Sequence, residues 1–182
     1  MSSEILDRKN ESLLAESEVP YTPIALRFGA ILGAISVIFS LLQFMMGWTW
    51  VSWVSFIVLV GGLVYVAREH RTNDLGGFMS FGRSFGLTFM VGAVSSLIGT
   101  IFNGIYMNAV PNAWETIAEK TLAEYEKYNM PEEQAETSLE LTKWMMTTPS
   151  GLAAMFAGAL VLIAILALII SLVMKRDRPM FN

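Results

Sequence analysis

Gly151–Met174 reads GLAAMFAGALVLIAILALIISLVM. It carries no charge and no proline. As a helix rising about 1.5 Å per residue, it matches a hydrocarbon core about 30 Å thick. A surface helix of a soluble domain keeps one polar face, and this segment has none. It is therefore read as a membrane span.

Three more segments repeat that signature toward the N-terminus. Ile24–Met46 has Arg27 as its single charge, Trp48–Ala67 has no charge, and Phe78–Val110 is interrupted by Arg83 alone. The expected fold is an all-α membrane protein with four spans, near residues 24–46, 48–67, 78–110 and 151–174. Only Met46 to Thr49 lie near the first junction, so the first two spans form a tight antiparallel hairpin. Arg68-Glu69-His70-Arg71-Thr72-Asn73-Asp74, followed by Gly76-Gly77, reads as a short polar loop. The third segment exceeds a minimal span, so it tilts or projects before Pro111 ends it.

Composition agrees. Apolar residues make up 54% of the chain and charged residues 15%, against roughly 25% charged in ordinary globular domains. The absence of cysteine excludes disulfides, thiolate metal sites and cysteine nucleophiles. No basic patch interleaves with aromatics, so nucleic acid is not an expected partner. Residues 1–23 are polar and partly acidic, unlike a signal peptide, so the first span is expected to be retained as an anchor.

Asn112 to Thr148 differs in character, with eight acids and three lysines. Asn112 and Glu115 have the spacing of a capping box. Trp114, Ile117, Ala118, Thr121, Leu122, Tyr125 and Tyr128 then recur at helical spacing. Asn129-Met130-Pro131 breaks the pattern, with Pro131 suited to the first turn of a second helix. Ala135, Leu139, Thr142 and Met145 continue a weaker stripe up to Thr148-Pro149-Ser150. The expectation is a two-helix acidic hairpin between spans three and four.

Basic residues set the orientation. With four spans, one side carries nine of them: Arg8, Lys9, Arg27, Arg68, Arg71, Arg83, Lys175, Arg176 and Arg178. The other side carries Lys120, Lys127 and Lys143. Both termini are then cytoplasmic and the acidic hairpin is extracytoplasmic. Trp48, Trp50, Trp53, Trp114 and Trp144 all fall near the outer interface, where an amphipathic ring is favoured.

Candidate sites are few. Arg83, in Phe81-Gly82-Arg83-Ser84-Phe85-Gly86, lies close enough to the cytosolic surface to snorkel and touch lipid headgroups. An anion or polar partner inside the bundle is its sharper role. Gln43, Asn103 and Asn108 are expected to hydrogen-bond between helices. Gly29 with Gly33, and Gly82 with Gly86, are spaced for close helix packing. His70, the single histidine, stands among charges without a second histidine to form a metal or proton-relay site. No acid lies within the four expected spans, which disfavours proton-coupled transport. No nucleotide loop, serine–histidine set or paired carboxylates point to an enzyme, and no cofactor is implied.

The tight two-span hairpin, the opening Gly76-Gly77-Phe78-Met79-Ser80-Phe81-Gly82-Arg83-Ser84-Phe85, the end of span three near Tyr106, the acidic Met130-Pro131-Glu132-Glu133 and the closing Lys175-Arg176 resemble the small four-helix membrane proteins of domain of unknown function 4199. That resemblance covers about Pro23 to Arg178. It implies the same four-helix fold and a bacterial inner membrane, mainly in the Bacteroidota, and it assigns no activity. The expected role is a non-catalytic interaction or assembly partner acting through the hairpin. Its partners would be membrane lipid and either copies of itself or another membrane protein. The alternative is a small oligomeric channel or transporter, with Arg83, Asn103 and Gln43 along its path.

Overall fold

The computed structural model describes residues 18–46 and 50–176. Expectations for the N-terminal tail with Arg8 and Lys9, the turn containing Trp48, and the final tail with Arg178 lie outside the described residues. Among the described residues six α-helices follow one another: α1 (Thr22–Met46), α2 (Trp50–Glu69), α3 (Phe81–Ala109), α4 (Ala113–Lys127), α5 (Glu132–Thr147) and α6 (Pro149–Met174). The helices α1, α2, α3 and α6 are long and apolar enough to cross a membrane. In their most apolar windows only 22% to 28% of residues are buried within the chain. Ile57, Val161, Leu172 and Val173 are instead among the many large apolar side chains left exposed on the outside of the bundle. An apolar exterior of this extent is stable in lipid and insoluble in water.

The central helix is α3, which packs along both α1 and α6. Two glycines of α1 make the first contact close. A Cβ at Gly29 would lie 2.7 Å from the Val94 Cβ and 3.0 Å from the Val91 carbonyl oxygen, and one at Gly33 would lie 2.7 Å from Ile98 Cδ1. Gly92 serves the α3–α6 contact in the same way, because Ile163 occupies the space its side chain would fill. The buried core runs through Ala25, Leu32, Leu63, Val66, Leu87, Val91 and Ile170, drawn from all four spans.

Several boundaries differ from the sequence reading. The stretch Arg68–Asp74 is not a loop. The α2 helix continues through Glu69 and widens into a π-helical turn over His70–Asp74. The chain then reverses at Gly76 and Gly77, whose φ angles of 64° and 92° suit glycine. Span three begins at Phe81 rather than Phe78, because the Ser80 Oγ accepts from the Arg83 amide and so sets the helix start. Asn112 makes no capping-box hydrogen bond, since its backbone is left-handed (φ 55°). Pro131 sits at the cap position and α5 starts one residue later. Asn129, with φ 51°, makes the break between α4 and α5. Span four starts at Pro149, two residues earlier than expected, with the Thr148 hydroxyl accepting from the Gly151 amide at 3.0 Å.

The α4–α5 hairpin is seated on one end of the bundle. Ala113 and Ala135 are buried, while Leu122 and Tyr128 of the expected apolar stripe remain exposed. The Lys120 ammonium donates to the Phe44 carbonyl at 2.7 Å, satisfying a carbonyl at the C-terminal end of α1. Lys143 of α5 lies 5.9 Å from the ring centre of Trp114 on α4.

Candidate functional site

At the end of the bundle away from the hairpin, four segments meet. The π-helical turn carries His70 inward until it is fully buried. Its Nδ1 lies 2.7 Å from the Asp74 carboxylate, one turn on. Its Nε2 faces Arg83 on α3, with the guanidinium Nε and Nη2 each at 3.3 Å. Arginine only donates, so Nε2 accepts, the ring proton sits on Nδ1, and that proton is given to Asp74. The Arg83 guanidinium also lies 5.0 Å from the ring centre of Tyr21, which precedes α1. Arg71 donates to the Met174 carbonyl of α6 at 3.2 Å. Just beyond, Met79 and Arg176 exchange both backbone hydrogen bonds at 3.0 Å, a two-residue antiparallel bridge. Asp74, His70, Arg83 and Tyr21 thus form one polar chain joining α2, α3 and the entrance to α1.

His70 therefore has two partners, contrary to its reading as an isolated loop residue. A π-helical turn holds an extra residue per turn, and that rotates the ring off the surface and into the bundle. Arg83 gains an inward contact alongside the expected reach toward headgroups. Gly86 packs beneath it, since a Cβ there would meet the Tyr21 hydroxyl at 2.9 Å. Gly82 has open space around it and is not a packing position. Asn108 is exposed and spends its amide on the Gly104 carbonyl of its own helix at 2.7 Å, so it does not bridge helices. The Asn103 Oδ1 is buried and accepts no hydrogen bond among the described residues.

Gln43 lies elsewhere, on a cavity of about 310 Å³ bounded by α1, α2 and α3 with Ile163 of α6. Ser36 and Ser40 on α1, Ser52 and Ser55 on α2, and Ser95 and Ser96 on α3 share its wall. Arg83 and Asn103 are not among the residues that line it. Sequence reasoning missed these serines by weighing only amides and charges as polar. The available signal was their pairing at spacings of four, three and one in otherwise apolar spans. On α1 and α2 those spacings put each pair on one helix face.

Three membrane-spanning helices packed around a fourth, α3, with a charged hairpin inserted before the last, define a multi-pass helical membrane protein. The chain belongs to the family described as Protein of unknown function (DUF4199), which matches residues 27–176. No curated protein and no solved structure matches it.

Proposed function

We propose that this chain is a non-catalytic interaction or assembly partner of the bacterial inner membrane that works through an extracytoplasmic α4–α5 hairpin. One observation carries the reading. Seven of the hairpin's eight carboxylates are exposed, all except Glu124, and among the described residues none of the eight is in an ion pair. Two of its three lysines are meanwhile engaged, Lys120 on the Phe44 carbonyl and Lys143 beside Trp114. A docked surface on which eight acids outnumber three lysines favours a basic partner and repels an acidic one. The proposed orientation rests on the positive-inside rule. Arg68, Arg71, Arg83, Lys175 and Arg176 gather where His70 lies, whereas the hairpin end has only lysines outnumbered by acids.

Two measurements test this. Cysteines placed at Thr72 and Asn129 in intact spheroplasts should respond oppositely to an impermeant thiol reagent, with Asn129 labelled and Thr72 shielded. Reversed labelling would invert the topology. A photocrosslinker at Leu141, which is exposed on α5, should give a discrete adduct in cells. Exchanging Glu119, Glu126, Glu133 and Glu140 for Gln should abolish it. If the four-Gln protein crosslinks and complements a deletion strain as well as wild type does, the hairpin is not the working surface. A second reading, a small oligomeric channel or transporter, draws its support from the cavity on which Gln43 and six serines lie.

A further inference from the structure

We propose that the cavity between α1, α2 and α3 is a binding site for a small uncharged polyol. The inference goes beyond both functional readings, since it requires binding alone and neither transport nor a protein partner.

The convergence of serines is the first observation. The four spans contain nine serines, and six of them, two from each of three helices, line this one cavity. The other three are Ser84, Ser150 and Ser171. A hydroxyl facing lipid gains nothing there; five of the six are wholly or partly shielded by the chain and Ser52 stands exposed at the rim, so the cavity sets a strip of hydroxyls along an otherwise apolar wall.

The chemistry of the wall selects the ligand. No charged side chain lines it, so an ion would enter without a counter-charge. Two hydroxyl protons are already committed to their own helices: Ser36 donates to the Gly33 carbonyl at 2.7 Å and Ser96 to the Ala93 carbonyl at 3.1 Å. Their oxygens keep lone pairs for a ligand's O–H groups. The Gln43 amide adds both a donor and an acceptor. Phe39, Phe56 and Leu59 interleave with these polar groups. Water gains nothing from such apolar facets, whereas the C–H faces of a polyol pack on them. At about 310 Å³ the cavity lies at the small end of small-molecule sites, which suits a short polyol and is too small for a whole phospholipid.

The glycine contacts give the cavity a floor. Leu32 fills the space over Gly62, with Cδ2 2.5 Å from where a Cβ would stand, and Ile163 does the same at Gly92. Both Leu32 and Ile163 lie on the cavity wall. The compartment therefore extends from mid-bundle toward the hairpin end.

The test uses full-length protein in nanodiscs and saturation-transfer NMR with glycerol, erythritol and xylitol as probes. Choline and lactate serve as charged comparators. At least one polyol should show a saturable signal, and neither charged solute should. Ser52→Ala/Ser55→Ala removes two hydroxyls and leaves alanine, a good helix former, so folding is preserved. Binding should weaken about tenfold or more in this variant. Ser95→Leu fills the cavity and should abolish the signal. Any one of four results overturns the proposal: no saturable polyol signal, an undiminished signal in Ser52→Ala/Ser55→Ala, full displacement by sodium or potassium, or an acyl chain found in the cavity by native mass spectrometry.

Discussion

Replacing Arg83 separates an anchor at the membrane surface from a strut inside the protein. The guanidinium supplies both N–H groups that face the His70 Nε2, and His70 is fully buried. Arg83→Leu leaves that acceptor without its donor, which costs about 1–3 kcal/mol. It also removes the contact with the Tyr21 ring at 5.0 Å, worth about 0.5–1 kcal/mol in a half-exposed setting. The expected total is about 1.5–4 kcal/mol, a large share of the roughly 5–15 kcal/mol that holds an ordinary domain together. Arg83→Lys keeps the charge but presents a point-like ammonium in place of a planar fork. About half the loss should remain. Reversible unfolding in mixed micelles, followed by tryptophan fluorescence, reads these differences. A double-mutant cycle with His70→Phe isolates the shared contact and should give a coupling of about 1–2 kcal/mol. If Arg83→Lys and Arg83→Leu both fall within about 0.5 kcal/mol of wild type and the coupling is near zero, the histidine contact contributes nothing and only a surface anchor is left.

Other substitutions probe the packing. Gly151→Ala should destabilise by about 3 kcal/mol or more, because its Cβ would run into the Trp144 carbonyl oxygen and the backbone of Met145; thermal unfolding in detergent measures it. Gly82→Ala, with nothing near its added methyl, should be neutral or stabilise by about 0.5–1 kcal/mol in the same assay. Gly29→Leu should force α1 away from Val94 on α3 and lower both melting temperature and membrane yield. Lys120→Met should free the hairpin from the Phe44 carbonyl, at a cost of about 0.5–1.5 kcal/mol, and speed proteolysis near Asn129. Unchanged proteolysis would mean that the lysine contact does not hold the hairpin down.

The spans were legible because hydrocarbon thickness fixes a length and an absence of charge, and both are properties of contiguous residues. The hairpin break at Asn129 was legible for a similarly local reason. Arg68–Asp74 was not, since seven polar residues have the composition of a loop whether or not their backbone hydrogen bonds continue a helix. The meeting of His70 with Arg83 depends on the π-helical turn and the Gly76-Gly77 reversal together, and neither leaves a hydrophobic period to read. The serine cavity required the rotational setting of three helices at once. Each serine pair is visible in the sequence, but only the packed bundle shows that the three pairs face one another. Gly29 and Gly82 make the same point. They share one spacing motif, yet one is pressed against Val94 and the other faces open space.

The Met79–Arg176 bridge bears on the order of assembly. Met79 is fully buried, and its N–H and C=O are paired with a residue translated after the whole hairpin and the last span. While the first three helices enter the membrane, those two backbone groups must stay hydrated, because an unpaired buried amide is costly. The bundle therefore stays ajar at this end until α6 arrives. A chain stalled or cut before Arg176 leaves the Met79 N–H and C=O without these partners and so carries an open seam beside α3.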